Sequence, residues 1–169
     1  MKVQLLTNRF TEAIKIKTLD NEILREIGTL SRAIHSKSDL QFKAYQLQKG
    51  QFIFLTRVCE NPGINLIQLS NKLKVDKTTT TKAIQKLIAG GYLQKKKNDL
   101  DSRAYQLYPT HKALEVYDLV IEEENTNINL CFKDFTPEET TLAFQLVKRM
   151  SDNIETVWCE IKKVKEEYR

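Results

Sequence analysis

Residues 64–108 read INLIQLSNKLKVDKTTTTKAIQKLIAGGYLQKKKNDLDSRAYQLY. Leu66, Leu69 and Leu73 recur at spacings of three and four, which gives a short helix one apolar face. Val75 and Asp76 interrupt it, and Asp76 is placed to accept from the first free amides of a second helix, KTTTTKAIQKL. In that helix Thr80, Ile84 and Leu87 share the inward side, while Lys77, Thr78, Thr81, Lys82, Gln85 and Lys86 share the outward one. Gly90 and Gly91 are expected to end it by supplying positive φ. YLQKKK and RAYQLY then flank NDLDS, a connection rich in Asn, Asp and Ser that signals a β-hairpin. Helix, turn, helix and basic hairpin, in that order, make a winged helix.

Four consecutive threonines also suit a strand, because β-branched side chains are mediocre helix formers. The Asp76 cap, the periodic Ile84 and Leu87 and the Gly-Gly stop all agree on a helix, and agreement across levels outweighs local propensity. The outward face carries only hydroxyl, amide and ammonium groups. Such groups meet phosphates and base edges in a major groove, where a carboxylate would be repelled.

From Leu47 to about Lys112 the chain resembles the multiple antibiotic resistance regulator (MarR) family of bacterial winged-helix repressors. Gln51 and Phe52 resemble the Gln-aromatic pair opening that family's second helix, ENPGI closes the helix, and VDKTTTTKAIQKL stands where the family has its recognition helix. Asp99, Asp101 and Arg103 resemble the wing in which aspartates orient an arginine that enters the minor groove, and PTHKA stands where the family opens its next helix. The wing is about a residue short, and Ser102 stands where many members carry a second arginine. Lys95, Lys96 and Lys97 therefore shift the expected balance toward phosphate contacts. The resemblance implies dimerisation through the N- and C-terminal helices. It also implies control by a small molecule, often aromatic or anionic, bound between the dimer helices and the reading lobe.

Charge distribution points the same way. The chain nets +5, yet residues 65–103 hold nine cationic side chains against three carboxylates, so this stretch nets +6 and the rest nets −1. A solvated lysine-rich face is common in soluble proteins; confined to the reading motif, the excess is the footprint expected for phosphate. With 169 residues, 41% of them hydrophobic, the chain can bury a real core without needing two independent domains. No apolar run reaches the roughly 18 residues of a membrane span, so a cytoplasmic location is expected.

Outside the motif, Ile23, Ile27, Leu30 and Ile34 mark a first helix from about Asn21 to Lys37. Phe42, Tyr45 and Leu47 anchor a connection, and GQFIFLTRVCE reads as a helix closed by Asn61-Pro62-Gly63. Ala113, Tyr117, Val120, Ile121, Ile128 and Cys131 mark a later helix whose Glu122 to Glu124 run is expected on the exposed side. Thr136-Pro137-Glu138-Glu139 is a capping box with proline at the first helical position. It opens a stripe through Leu142, Leu146, Val147, Met150, Ile154, Val157, Trp158, Ile161 and Val164, too long for one small lobe to cover. A second copy of the chain is the expected cover, with Ile23, Ile27, Leu146, Met150, Ile154, Val157, Trp158 and Ile161 at the interface. The resulting organisation is an N-terminal extension over 1–20, a dimerisation helix and connection over 21–46, a winged helix-turn-helix lobe over 47–110, and C-terminal dimerisation helices over 111–169.

Catalytic chemistry has little footing: there is no glycine-rich phosphate loop or nucleophile elbow, and neither His35 nor His111 sits in a catalytic pattern. Cys59, Cys131 and Cys159 are odd in number and far apart, which disfavours a disulfide framework, and with two histidines they lack structural zinc spacing. Thiol sensing by Cys59 or Cys131 competes with the more usual inert buried cysteine. The expectation is a mainly α winged helix with long terminal dimerisation helices and no catalytic, metal or cofactor site. Its partners would be double-stranded DNA, a second copy and a small effector. Major-groove and flanking phosphate contacts fall to Lys77, Thr78, Thr81, Lys82, Gln85 and Lys86, wing contacts to Lys95, Lys96, Lys97 and Arg103 with Asp99 and Asp101 orienting, and backbone bracing to Ser70, Asn71 and Lys72. The competing expectation is a protein-docking winged helix whose basic hairpin meets an acidic partner.

Overall fold

The computed structural model describes residues 19–47, 49–97 and 105–167. In chain order the elements are α1 (Ile23–Gln41), a 3-10 turn (Lys43–Tyr45), α2 (Gln51–Glu60), α3 (Leu66–Leu73), α4 (Lys77–Ala89), β1 (Leu93–Lys97), β2 (Tyr105–Pro109), α5 (His111–Cys131) and α6 (Pro137–Glu167). The two strands form one antiparallel sheet that pairs Leu93 with Pro109 and Lys97 with Tyr105. The fold class is the expected one, six helices and a hairpin among the described residues.

The chain divides inside α1, between Ile34 and His35. In the N-terminal unit the described residues begin the helix. Asn21 Oδ1 accepts from Ile23 N at 2.8 Å, satisfying a free amide of the first turn, and Arg25 pairs with Glu22 at 3.1 Å.

From His35 onward, the core gathers Phe42, Leu47, Phe52, Leu55, Val58, Leu69, Ile84, Leu87, Leu107 and Val120, all buried. These come from the turn after α1, from α2 to α5 and from β2, and Leu93 of β1 joins them, so these elements close on one interior. Truncating Leu87 to alanine there should cost about 2–5 kcal/mol. Helix starts explain why the segments begin where they do. Asn65 and Gln68 form a reciprocal capping box at α3, with Gln68 N donating to Asn65 Oδ1 at 2.9 Å and Asn65 N to Gln68 Oε1 at 3.0 Å. Thr136 and Glu139 do the same at α6, as the sequence predicts.

Beyond the two-strand ladder, Gly63 N donates to Leu107 O at 2.8 Å and Leu107 N donates to Ile64 O at 3.0 Å. The turn after α2 thus adds a rung to β2 and ties the wing to the helical lobe. Gly63 has φ +91°, and a Cβ there would lie 3.3 Å from the Tyr108 hydroxyl, so both backbone and space favour glycine.

Three expectations need correction. Glu123 is buried, not exposed, and pairs with Lys37, while Asn127 one turn later donates to Ser38 Oγ at 3.4 Å. The inner line of α5 is Ala113, Val116, Val120, Glu123 and Asn127, so it turns polar halfway, and Ile128 is left exposed. The reason is long-range: the C-terminal half of α1 presents Lys37 and Ser38, and buried polar groups must be paired. Finally, of the Gly90–Gly91 pair only the second has positive φ, at +75°; Gly90 stays right-handed at −75°.

Along α6 most side chains are exposed through residue 162, including Leu142, Leu146, Val147, Ile154, Val157 and Ile161. Val164 lies where side chains are outside the described set. Among the described residues no helix is long and apolar enough to cross a membrane.

Candidate nucleic-acid interface

α4 is built as its sequence requires. Asp76 caps it, accepting from Thr79 N at 2.8 Å, and the fully exposed carboxyl is held below its ordinary pKa by hydrogen bonding from Thr79. Thr80, Ile84 and Leu87 are buried. Two of the four threonines settle their hydroxyls on the helix itself: Thr80 Oγ1 donates to Asp76 O at 2.9 Å and Thr81 Oγ1 to Lys77 O at 2.7 Å. This back-bonding is how a β-branched run tolerates a helix, since each hydroxyl finds an acceptor one turn back. The outward row is then Lys77, Thr78, Lys82, Gln85 and Lys86, all exposed, with Thr81 half-buried beside them. No carboxylate lies on that row between Lys77 and Ala89.

The C-terminal end of α4 is fastened by residues that sequence reasoning passed over. Lys112 Nζ donates to Gly90 O at 2.7 Å and lies 4.2 Å from the centroid of the Tyr92 ring, so a cation sits at the negative end of the helix. Thr110 Oγ1 donates to Gly91 O at 2.7 Å, and Tyr92 Oη donates to Tyr45 O at 2.7 Å. The Thr-x-Lys after β2 was the available signal.

The wing carries its lysines on both faces. Leu93, Lys95, Lys97, Tyr105, Leu107 and Pro109 alternate onto one face of the ladder, and Gln94, Lys96, Gln106 and Tyr108 onto the other. Lys95 Nζ lies 5.8 Å from the Tyr105 ring centroid and Lys96 Nζ 5.0 Å from that of Tyr108, diagonal pairs that hold each ammonium near the sheet while leaving it exposed. Asp99, Asp101 and Arg103, the expected wing tip, lie outside the described residues.

Of the three expected bracing residues, Asn71 and Lys72 are exposed on α3. Ser70 is different. It is buried, its Oγ donates to Val75 O at 2.6 Å to close the turn between the helices, and the same oxygen accepts from Lys162 Nζ at 2.9 Å. A hydroxyl so engaged does not face a duplex; its work in this structure is internal. Asn71 Oδ1 also accepts from Lys162, at 2.5 Å, and Glu155 pairs with Lys74, so α6 reaches the first helix of the motif.

Cys59 is half-buried, and burial, followed by the charge of Glu60, pushes its thiol up to about 11. Among the described residues no group of three or more His, Cys, Asp or Glu side chains is arranged to hold a metal ion.

The model of the MarR family matches residues 47–105, the stretch that holds α2 to the wing. The uncharacterized HTH-type transcriptional regulator YybA of Bacillus subtilis is 39% identical over 143 residues, covering 85% of this chain and 95% of that protein. Among solved structures, a MarR protein from Peptoclostridium difficile is 59% identical with a TM-score of 0.83, covering 89% of this chain and 98% of that one. A MarR family transcriptional regulator from Listeria monocytogenes, solved in complex with a 26mer DNA, is 37% identical with a TM-score of 0.81, covering 88% of this chain and 96% of that one. Motif, geometry and near full-length relatives agree: the chain belongs to the MarR family of winged-helix transcriptional regulators.

Proposed function

We propose that the protein is a homodimeric, DNA-binding repressor that reads a pseudo-palindromic operator with two copies of α4 and releases it in response to a small ligand. The outward row of α4 carries the reading: exposed lysines, a glutamine and threonines with no acidic side chain among them, on a helix capped at its start by Asp76 and held at its end by Lys112. Lys95, Lys96 and Lys97 on the wing, with Lys72 on α3, supply further phosphate contacts. The Listeria relative, solved with a 26mer DNA, supports DNA as the partner.

Dimerisation is supported by the exposed apolar side chains of α6 together with Ile23 and Leu30 on α1, more than a water-facing monomer usually leaves uncovered. Ligand response is supported by a cleft of about 190 Å³ lined by Gln41, Phe42, Tyr45, Leu119, Glu122, Glu123 and Thr126, where the turn after α1 meets α5. A ligand there would act by favouring dimers whose reader spacing does not fit DNA.

Fluorescence titration with labelled duplex DNA tests the reading. A dimer making about six phosphate contacts should lose on the order of a thousandfold in affinity between low and moderate salt. Lys82→Glu should abolish binding without unfolding the chain. Wild-type affinity in that variant, or a flat salt response, would contradict the assignment and favour docking to an acidic protein instead.

A further inference from the structure

Between residues 151 and 162 of α6 every side chain is exposed except three: Glu155, Trp158 and Lys162. Their spacings of three and four put them on one side of the helix. Glu155 pairs with Lys74 just past the end of α3. Lys162 Nζ donates to Ser70 Oγ at 2.9 Å and to Asn71 Oδ1 at 2.5 Å. Trp158 lies between them, with its indole Nε1 sealed from solvent and without an acceptor among the described residues.

We propose that Glu155, Trp158 and Lys162 form a clamp that positions the reading helix: they tie the C-terminal part of α6 to α3 and thereby set the attitude of the DNA-reading lobe. The inference rests on the proposed regulator reading and extends it to residues that touch no DNA.

The mechanical path is short. Lys162 holds the Ser70 hydroxyl, Ser70 donates to Val75 O at 2.6 Å, and Val75 is joined to Asp76, whose carboxylate caps α4. Each link is a hydrogen bond or a covalent bond, so a shift of α6 is felt at the head of the reading helix. The other end of the path is stiff as well. α6 is one uninterrupted helix of 31 residues, about 46 Å long at 1.5 Å per residue. It carries the exposed apolar side chains assigned to the dimer. A clamp between this rod and α3 converts the geometry of the dimer into the separation and tilt of two reading helices. An isolated exposed ion pair would hold little. Here a carboxylate and an ammonium seven residues apart engage Ser70, Asn71 and Lys74, the last turn of α3 and its end, with a half-buried indole between them on α6. The Glu155 carboxyl is held below its ordinary pKa, first by the hydrogen bond from Lys74.

The test uses the full-length protein, the duplex that wild type recovers from a random pool, and the same duplex with one base pair inserted or removed between its half-sites. The readout is the ratio of affinities for native and altered spacing, which cancels a general change in charge. Lys162→Ala and Glu155→Gln should shrink that ratio by roughly fivefold or more, the lower range for coupled sites, while dimer mass and thermal midpoint are retained. Lys162→Arg should restore it, as should the charge exchange Glu155→Lys with Lys74→Glu. Amide hydrogen exchange over residues 70–76 of the DNA-free protein should quicken in the first two variants only.

An unchanged spacing ratio in Lys162→Ala overturns the positioning role even if exchange quickens, because the contact is then a local brace. Unchanged exchange overturns the clamp itself. Failure of the regulator reading shows elsewhere, in a wild-type protein that recovers no duplex.

Discussion

Asp76 fixes where α4 begins. Its carboxylate accepts from the Thr79 amide at the head of α4, and its pKa is lowered chiefly by the hydrogen bonds from Thr79. A group whose folded pKa lies below its unfolded value, about 3.9 for aspartate, adds stability that is complete above that value and lost as pH falls through the folded one. Asp76→Ala should therefore lower the thermal midpoint at pH 7, and the gap to wild type should narrow on acidification below pH ~4. A gap independent of pH would show that the charge plays no part in the cap. The cysteines give a second contrast. With its thiol pushed up to about 11, Cys59 stays protonated at neutral pH, whereas Cys159 is exposed on α6. Brief iodoacetamide treatment followed by peptide mass spectrometry should label Cys159 well before Cys59, since the thiolate is the nucleophile. Preferential labelling of Cys59 would reopen thiol sensing at that position.

Among the elements, α6 has the most consequential length. Truncation after Asp152 removes Ile154, Val157 and Ile161 and with them the lower part of the exposed apolar face; Trp158, expected on that face, instead lies half-buried on the side of Glu155 and Lys162. Sedimentation or light scattering of the truncated chain should show monomer or aggregate where full length shows dimer; a stable truncated dimer would move the interface elsewhere. α4 and the start of α6 were legible in the sequence because several local signals coincide there: cap, period and stop for α4, and Thr136, Pro137 and Glu139 for α6. In α5 the helix and the inward Ala113 and Val120 are as its sequence predicts, but Glu123 is buried and Ile128 exposed against expectation. Glu123 and Asn127 are buried by pairing with Lys37 and Ser38, some ninety residues away, and no local period encodes a distant partner. Ser70 was misplaced for the same reason, since its partner Lys162 is distant in sequence. The Asn65–Gln68 capping box was readable and passed over. Helix periodicity reports which residues share a side; it does not report whether that side is covered by carbon or by a matching charge.

Selection of one DNA site over others is a matter of geometry. Two copies of α4 can enter successive major grooves on one side of a duplex only if the dimer holds them about one DNA turn, roughly 34 Å, apart. The cationic excess of residues 65–103 supplies attraction to any duplex, whereas symmetry and spacing supply selection. Nonspecific binding alone would satisfy the charge and leave the exposed faces of α1 and α6 unexplained. The most direct measurement is selection of bound fragments from random-sequence duplex DNA, followed by sequencing. A dimer that holds its two α4 helices one turn apart should select a two-fold symmetric consensus whose half-site centres lie about 10 base pairs apart. Recovery of no enriched sequence, or of a single asymmetric half-site, would contradict it.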